Sequence, residues 1–326
     1  MLNTKIFSGS SIQSLSKSIV NNLNLNLGKI EIKKFNDGEI SVKINESVRG
    51  KNVFVIQSLC TPVNDNLMEL IFIVDALKKA FAKKITAIIT YLGYSRQDRK
   101  IGFNRSSITS KVIANLISNS GLDDILTIEL HVDQIQGFFN IPIDNISSNF
   151  IFSRDIISKK RNINSVIVSL DVGGINRINS ISKLLKIDDI AIINKKRSKN
   201  GLVKTLHIIG NVYKKNCILV DDIIDTGNTL INAINILNKN KVNKIFVYIT
   251  HPVFSLKSLK DIKNLKFEEI VVCNTIPLNN CKIKQIEKIR ILDLSKLLAK
   301  YIKIKTNKKS IRSIFNKQYL LKNEKI

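Results

Sequence analysis

The residues best suited to chemistry lie in one segment, CILVDDIIDTGNTLINA, at positions 217–233. Its apolar start is typical of a buried strand, which ends in Asp221 and Asp222 and is followed by a short loop and a helix-forming run. Backbone N–H groups at a helix start, together with threonine hydroxyls, form a cradle for a phosphate, and strand-end carboxylates can accept hydrogen bonds from sugar hydroxyls. The segment therefore predicts a sugar-phosphate site formed by Asp221, Asp222, Asp225, Thr226, Gly227, Asn228 and Thr229.

An ordinary strand–turn–helix corner, with acids that only cap the helix, is the alternative for this segment. Three acids within five positions directly after a buried strand make that alternative the weaker one. Gly227 permits a tight turn and a close approach of the backbone to a ligand.

The elements that must position this segment alternate along the whole chain. Short β-branched apolar runs are separated by helical stretches, which predicts an α/β fold with mainly parallel sheets flanked by helices. The predicted strands lie at 53–58, 85–91, 125–130, 165–170, 189–194, 217–220, 244–250 and 269–273. The predicted helices lie at 69–83, 107–121, 174–186 and 229–240, and Gly121 is expected to cap the second of them.

Two domains of similar plan are expected within the 326 residues. Pro, Asp, Asn and Ser cluster at 141–149, which places the boundary there and gives an N-terminal domain at 1–146 and a C-terminal domain at 147–326. The tail after Tyr301 is rich in Lys, Asn and Ser and could form a final helix that packs back on the first domain.

The bulk composition excludes several classes of protein. Hydrophobic residues make up 44% of the chain and charged residues 24%, which is typical of a globular protein. The sequence contains neither an apolar run long enough for a membrane helix nor a secretory signal pattern at its start. The four cysteines have no metal-binding spacing, and Cys217 lies in an apolar run, so we expect buried thiols in a reduced cytoplasmic protein.

A formal net charge of +26 suggests a nucleic-acid partner. The lysines, however, are spread along the whole chain beside abundant Ile and Asn, as a biased codon composition would produce. The sequence also has no Arg-rich arm, RNA-binding aromatic motif or zinc finger. We therefore expect no nucleic-acid partner, and an anionic substrate would tolerate this charge.

Six further segments identify a family by their order and spacing. The loop at 225–229 resembles the phosphoribosyl-diphosphate loop of the type I phosphoribosyltransferase fold, and the whole pattern from about Phe7 to Phe315 is similar to that of the bacterial-type ribose-phosphate diphosphokinases. The segments are FNDGEISVKINESVRG (35–50), YLGYSRQDRK (91–100), ELHVDQIQGFF (129–139), SLDVGGINR (169–177), KKR (195–197) and THPVFS (250–255).

The resemblance implies two domains of the phosphoribosyltransferase fold and transfer of diphosphate from Mg-ATP to ribose 5-phosphate. It implies Lys195 and Arg197 as catalytic residues, with Arg197 also binding ribose 5-phosphate, and His131 and Asp171 as ligands of Mg²⁺. The ATP site would comprise Phe35, Asp37, Gly38, Glu39, Arg96, Gln97 and Arg99, with the first four supplied by a neighbouring subunit of a homohexamer. Without the other segments of the family, FNDGE would be typical of a turn, and RQDR and KKR would be typical of charged surface loops.

Regulation is a further implication of the resemblance. Inorganic phosphate would activate, and ADP inhibit, at a site between subunits that includes Ser47, Arg49, Ser310, Ser313 and Phe315. Phe81 and Arg312 stand where the family usually has Ser, so we expect weakened or altered inhibition by ADP. Four further departures remove none of the residues assigned to chemistry: Leu170, Asn194, Asn228 and the stretch 101–104, which lacks a basic residue often found there.

Two alternatives stay open. A non-catalytic regulatory paralogue would share the fold, but the chain keeps the residues assigned to catalysis and to metal binding. A phosphoribosyltransferase would need no ATP site, and the segments at 35–39 and 96–100 argue against it.

Overall fold

The computed structural model describes residues 3–100, 102–103, 105–197, 203–278 and 287–311, without the side chains of 195–197, 203–206 and 256. Two parallel-rich sheets, each with helices packed on it, carry these residues. The α/β fold class expected from the sequence is confirmed.

The first sheet has five parallel strands in the order β1-β4-β5-β6-β7. Its three central strands are mainly apolar because helices cover a parallel sheet on both faces. In chain order, the first half of the chain contains β1 (Thr4–Ser8), α1 (Gln13–Asn22), β2 (Ile30–Lys34), β3 (Ile40–Ile44), β4 (Asn52–Gln57), α2 (Val63–Lys79), β5 (Lys84–Ile89), α3 (Thr109–Ser118), β6 (Asp124–Ile128) and β7 (Ile143–Ile146).

A separate antiparallel hairpin formed by β2 and β3 lies beside α2. Its tip consists of residues 35–39, and Gly38 takes a positive φ of 96° there. Phe35 N–H donates to the carbonyl of Glu39 at 2.8 Å and closes the turn. The tip is an exposed loop.

The second sheet has seven strands in the order β10-β9-β8-β11-β12-β13-β14, and only the β9–β10 pair is antiparallel. The second half of the described chain contains α4 (Asn149–Ser158), β8 (Ser165–Ser169), α5 (Ile175–Leu185), β9 (Ile190–Arg197), β10 (Val203–Ile209), β11 (Asn216–Ile224), α6 (Asn228–Lys239), β12 (Lys244–Pro252), α7 (Leu256–Lys263), β13 (Glu269–Cys273), β14 (Ile289–Leu292) and α8 (Ser295–Thr306).

All eight predicted strands and all four predicted helices are present, with some shifted ends. The second helix is shorter than predicted: α3 ends at Ser118 and Asn119 caps it, so the prediction of Gly121 as its cap was wrong. Gly121 instead takes a φ of 105° in the connection to β6. The sequence did not reveal the hairpin or the edge strands β1, β7, β10 and β14, which are short or carry polar residues.

Helix α8 packs against α1 and reaches the edge of the first sheet. Tyr301 donates its hydroxyl to Asp144 at 2.8 Å, and Lys305 Nζ lies 3.1 Å from Asp124 and 3.2 Å from Asp144. The division of the chain at residue 146 falls at the end of β7 and stays a prediction. Within the described residues, none of the helices has the length and apolar character that crossing a membrane requires.

Candidate active site

A cleft of about 750 Å³ lies at the carboxyl ends of strands from both sheets. His131 follows β6 of the first sheet, Asp171 follows β8 of the second, and Asp221 and Asp222 belong to β11. Ligands bind at this end of open α/β sheets. Ten of the residues predicted from the sequence line the cleft: Arg96, Arg99, His131, Asp171, Asp221, Asp222, Asp225, Thr226, Gly227 and Thr229.

The loop at 225–229, called the phosphate loop below, leads into the start of α6, as predicted. Gly227 precedes the helix with a φ of 76°, and a Cβ at this position would lie 3.0 Å from Ser258 Cβ. Asn228 is the first helical residue, so the left-handed backbone falls on the glycine and Asn228 is compatible with the loop. The first N–H groups of a helix have no partner within it and remain to bind an anion.

The segment THPVFS (250–255) holds this loop through backbone hydrogen bonds. Phe254 N–H donates to the carbonyl of Ile224 at 3.0 Å, and Ser255 N–H donates to that of Asp225 at 3.1 Å. The Ser255 side chain in turn caps α7. This segment therefore fixes the entrance of the phosphate loop.

Buried charges converge on the floor of the cleft. Arg177, in the first turn of α5, contacts Glu129 at 3.1 Å, Asp221 at 3.1 Å and Asp222 at 3.2 Å. Asp222 Oδ2 also lies 2.7 Å from His131 Nδ1. The acids of one sheet and the histidine of the other therefore form a single network.

The network separates the pKa values of its members. Burial and the neighbouring charge of Asp222 raise the pKa of Asp221 well above its ordinary value. Burial acts to raise the pKa of Asp222 as well, but the charge of Arg177 and the hydrogen bond from His131 outweigh it and hold that pKa low. The hydrogen bond to Asp222 raises the pKa of His131. Asp222 is thus a stable acceptor for the imidazole.

The loop that follows β5 contains Arg96, Gln97 and Arg99, which are predicted to bind ATP, and it makes one contact across the cleft. Arg96 Nη1 donates to Asp225 Oδ2 at 2.9 Å, which joins a predicted ATP-binding residue to the phosphate loop. Gln97 is outside the cleft lining, and its side-chain oxygen accepts from Thr109 Oγ1 at 2.7 Å near the start of α3.

Several predicted site residues do not line this cleft within the described structure. Asn228 is exposed on the outer side of the α6 start. Lys195 and Arg197 belong to the end of β9, but their side chains lie outside the described part of the structure. The hairpin-tip residues Phe35, Asp37, Gly38 and Glu39 are away from the cleft of their own chain, and Phe35 is 57% exposed.

Sequence reasoning missed two members of the buried network, Arg177 and Glu129. Both stood at the ends of recognised segments, 169–177 and 129–139, but nothing in those segments indicated that they meet. His251 is buried, and its ring contacts the Thr275 hydroxyl at 3.0 Å and the carbonyl of Glu129 at 2.9 Å. Burial also raises the pKa of the Cys217 thiol to about 12, as its apolar run indicated.

The predicted regulatory residues are only partly described. Arg49 stacks its guanidinium 4.0 Å above the ring of Phe81, which has a φ of 63° and is 61% exposed. Ser47 is exposed close by, and Ser310 follows α8. Arg312, Ser313 and Phe315 lie outside the described residues.

Comparisons with known proteins agree with this architecture. The model of the N-terminal domain of ribose phosphate pyrophosphokinase matches residues 4–121, and that of the phosphoribosyl synthetase-associated domain matches residues 198–316. The ribose-phosphate pyrophosphokinase of Haemophilus ducreyi is 46% identical over 97% of this chain and 100% of its own length. That of Buchnera aphidicola is 47% identical over 97% of this chain and 99% of its own length.

One solved structure extends the likeness to the arrangement of the whole chain. The phosphoribosylpyrophosphate synthetase of Mycobacterium smegmatis matches with a TM-score of 0.88 and 33% identity, over 94% of this chain and 99% of that one. The similarity in sequence and in structure covers both sheets and the cleft between them. The chain therefore belongs to the ribose-phosphate pyrophosphokinase family.

Proposed function

We propose that this chain transfers the β,γ-diphosphate of ATP to the anomeric hydroxyl of ribose 5-phosphate, which yields 5-phospho-α-D-ribose 1-diphosphate and AMP for nucleotide biosynthesis. One observation carries the proposal beyond family membership. A single cleft unites a phosphate loop and strand-end acids from one sheet with arginines from the other. Such a cleft can bind a sugar phosphate and a nucleotide next to each other.

Ribose 5-phosphate binds at the start of α6 in this proposal. Its phosphate accepts hydrogen bonds from the loop at 226–229, and Asp221 and Asp222 accept from ribose hydroxyls. Asp225 lies at the entrance of the loop, and Arg197 approaches from the end of β9. The backbone cradle of P-loop-like helix starts supports this placement.

ATP binds on the side of Arg96, Gln97 and Arg99. Arginine suits bidentate contact with phosphate oxygens. The adenine is held by the hairpin tip of a second copy, because the tip does not line the cleft of its own chain and exposes Phe35. This shared site requires at least a dimer, and we propose a homohexamer as in the family.

The residues at the strand ends fit a magnesium ion that arrives with the nucleotide. The described residues contain no cluster of three or more His, Cys, Asp or Glu side chains that could hold a metal alone. Mg²⁺ commonly uses one or two protein ligands and completes its shell with water and substrate phosphates. His131 and Asp171 would hold it, and it would offset charge on the phosphates when bound.

The reaction is an in-line displacement at the β-phosphorus. The anomeric oxygen forms a bond to this phosphorus while the bond from the phosphorus to the bridging α,β-oxygen breaks. AMP leaves with that oxygen, and the hydroxyl proton is released. Lys195 and Arg197 offset the negative charge that develops, which is the main catalytic contribution in such transfers.

Regulation by phosphate and ADP and a cytoplasmic location are also proposed. Inorganic phosphate activates at the site that includes Ser47, Arg49, Ser310, Ser313 and Phe315, and the stacked Phe81 weakens inhibition by ADP. Free buried thiols at Cys60, Cys217 and Cys273 support a reduced cytoplasmic setting. The proposal includes no nucleic-acid or membrane partner.

The direct test incubates purified protein with ATP, Mg²⁺, inorganic phosphate and ribose 5-phosphate, and follows AMP. AMP that forms only with the sugar phosphate supports the proposal. ADP in its place would mean transfer of a single phosphate, and the mechanism would be wrong. A folded sample that binds ATP without forming any product would instead be a regulatory paralogue.

A further inference from the structure

Arg177 occupies the point where the two sheets meet below the cleft. Its side chain is 11% exposed, and its Nε, Nη1 and Nη2 atoms each contact a different carboxylate. The partners are Glu129 from the first sheet and Asp221 and Asp222 from the second. Since the guanidinium is planar and rigid, its fork fixes the three carboxylates relative to one another.

Glu129 is held independently of Arg177. Its Oε2 accepts from Ser148 N–H at 2.7 Å and from the hydroxyls of Ser147 at 3.0 Å and Ser148 at 3.1 Å. Its carbonyl bonds to the buried ring of His251 at 2.9 Å. Glu129 is therefore a fixed anchor, and Arg177 transmits its position to the acids of the other sheet.

The acids need such an anchor. Asp221 and Asp222 are adjacent and mostly buried, with side chains 22% and 6% exposed. Two neighbouring carboxylates in a low-dielectric site repel each other unless a cation lies between them. Asp222 in turn engages His131 Nδ1, which leaves Nε2 as the ring nitrogen available to a ligand.

We propose that Arg177 is a positioning residue that holds Asp221 and Asp222 in the geometry for ribose hydroxyls and, through Asp222, fixes the orientation of the His131 ring. The identity of the sugar phosphate rests on the proposed function. The positioning itself rests only on the contacts of the guanidinium. A lysine at this position would keep the charge but lose the fork.

The test compares Arg177→Lys with Arg161→Lys. Arg161 is a matched control because its side chain is 12% exposed and contacts Glu269 and Tyr248, at the opposite end of the second sheet. Titration calorimetry gives the dissociation constant for ribose 5-phosphate, and ¹⁵N shifts of the three histidine rings report the tautomer of His131. Thermal unfolding measures the loss of stability in each variant.

We expect Arg177→Lys to weaken ribose 5-phosphate binding about tenfold or more and to change the His131 ring shifts. Arg161→Lys should lose similar thermal stability with neither effect. If Arg177→Lys were only less stable, with unchanged binding and unchanged His131 shifts, the proposal would be overturned. The ring shifts need no substrate, so they decide the matter even if wild-type protein forms no AMP and the proposed function fails.

A second variant covers the case in which Arg177→Lys does not fold. Glu129→Gln keeps the size of the anchor and removes its charge. We expect a folded protein with ribose 5-phosphate binding weakened roughly fivefold, as for the loss of one good hydrogen bond. Wild-type binding together with wild-type His131 shifts in this variant would show that the anchor does not act through Arg177, and would overturn the proposal.

Discussion

Arg96 and Asp225 are 129 residues apart in sequence, yet Arg96 Nη1 donates to Asp225 Oδ2 at 2.9 Å across the cleft. Their side chains are 48% and 36% exposed. Exposed ion pairs of this kind contribute only about 0–1 kcal/mol. In the proposed site, the pair can therefore open at little cost when ATP binds the arginine and ribose 5-phosphate binds the loop.

Separate substitutions of this pair should affect different substrates. We expect Arg96→Ala to raise KM for ATP about tenfold or more, because a charge-assisted phosphate contact is lost. Asp225→Asn should raise mainly KM for ribose 5-phosphate. Initial rates of AMP formation measure both. Lys79→Ala, which breaks a more exposed pair with Asp75, is the control and should leave both constants unchanged. Equal effects of both cleft variants on both substrates would contradict the assignment.

Lys195 should act on turnover and not on folding. Replacing it with Ala removes a cation that offsets charge in the transition state, and we expect kcat to fall by about 10²–10³-fold. The melting temperature should change little. Lys239→Ala, at the exposed end of α6, controls for the general loss of a positive charge. Unchanged turnover in Lys195→Ala would remove the residue from the mechanism.

Gly227→Ala should damage the phosphate loop through its backbone. A side chain at a φ of 76° costs about 1–2 kcal/mol, and the new Cβ would also press on Ser258 at 3.0 Å. We expect a lower melting temperature and a higher KM for ribose 5-phosphate. Gly137→Ala is the matched control, since a Cβ there meets nothing within 4 Å and its φ is not positive. Similar effects of both variants would show that the backbone of Gly227 has no special role in the loop.

The sequence predicted which residues belong to the site, but it did not predict the contacts between them. Asp221 and Asp222 could be assigned to a ligand site because they stand at the carboxyl end of a buried strand. His131 and Asp171 were assigned to the site only through the resemblance to a family. The contact between His131 and Asp222, and the anchoring of Asp222 by Arg177, depend on how the two sheets are placed relative to each other. Strand and helix periodicity carries no information on that placement, so Arg177 and Glu129 went unnoticed.

The exposed hairpin formed by β2 and β3 was also not predicted from the sequence. The sequence at 35–39 is typical of a turn, and the structure has a turn there. Its predicted role in ATP binding came only from the resemblance to a family. Neither β2 nor β3 has the apolar run that marked the central strands, because their side chains are half-exposed beside α2. Local sequence therefore predicted the central strands and not this half-exposed hairpin.

Phe81 should control the response to ADP. Its ring holds the Arg49 guanidinium at 4.0 Å, a cation–π contact of about 0.5–1 kcal/mol at an exposed site. We expect weak inhibition of the wild type by ADP and stronger inhibition of Phe81→Ser, in which Arg49 is free to bind an anion. Rates at varied ADP and phosphate test this, with Phe72→Ser on α2 as the control. Strong inhibition of the wild type, beyond competition with phosphate or substrates, would count against it.

Asp124 should make the docking of α8 depend on pH. Its side chain is 5% exposed and lies 2.6 Å from Lys84 and 3.1 Å from Lys305 of α8. Burial acts to raise the pKa of Asp124, but the hydrogen bond from Lys84 and the charge of Lys305 outweigh it and lower that pKa. The folded state therefore binds this proton less readily than the unfolded state, so the ion pairs stabilise the fold above the unfolded pKa of about 3.9.

Asp124→Asn should accordingly lose about 1.5–3 kcal/mol of unfolding free energy at neutral pH, because the charge-assisted contacts with two lysines are weakened. The difference from the wild type should shrink as the pH falls below about 4 and through the folded-state pKa, since the wild-type carboxyl is then protonated too. Urea unfolding across this range measures it. Asp75→Asn, whose side chain is 53% exposed beside Lys79, should change stability little at any pH. A loss in Asp124→Asn that stays constant from neutral to acid pH would mean that packing, and not charge, holds α8 on the first sheet.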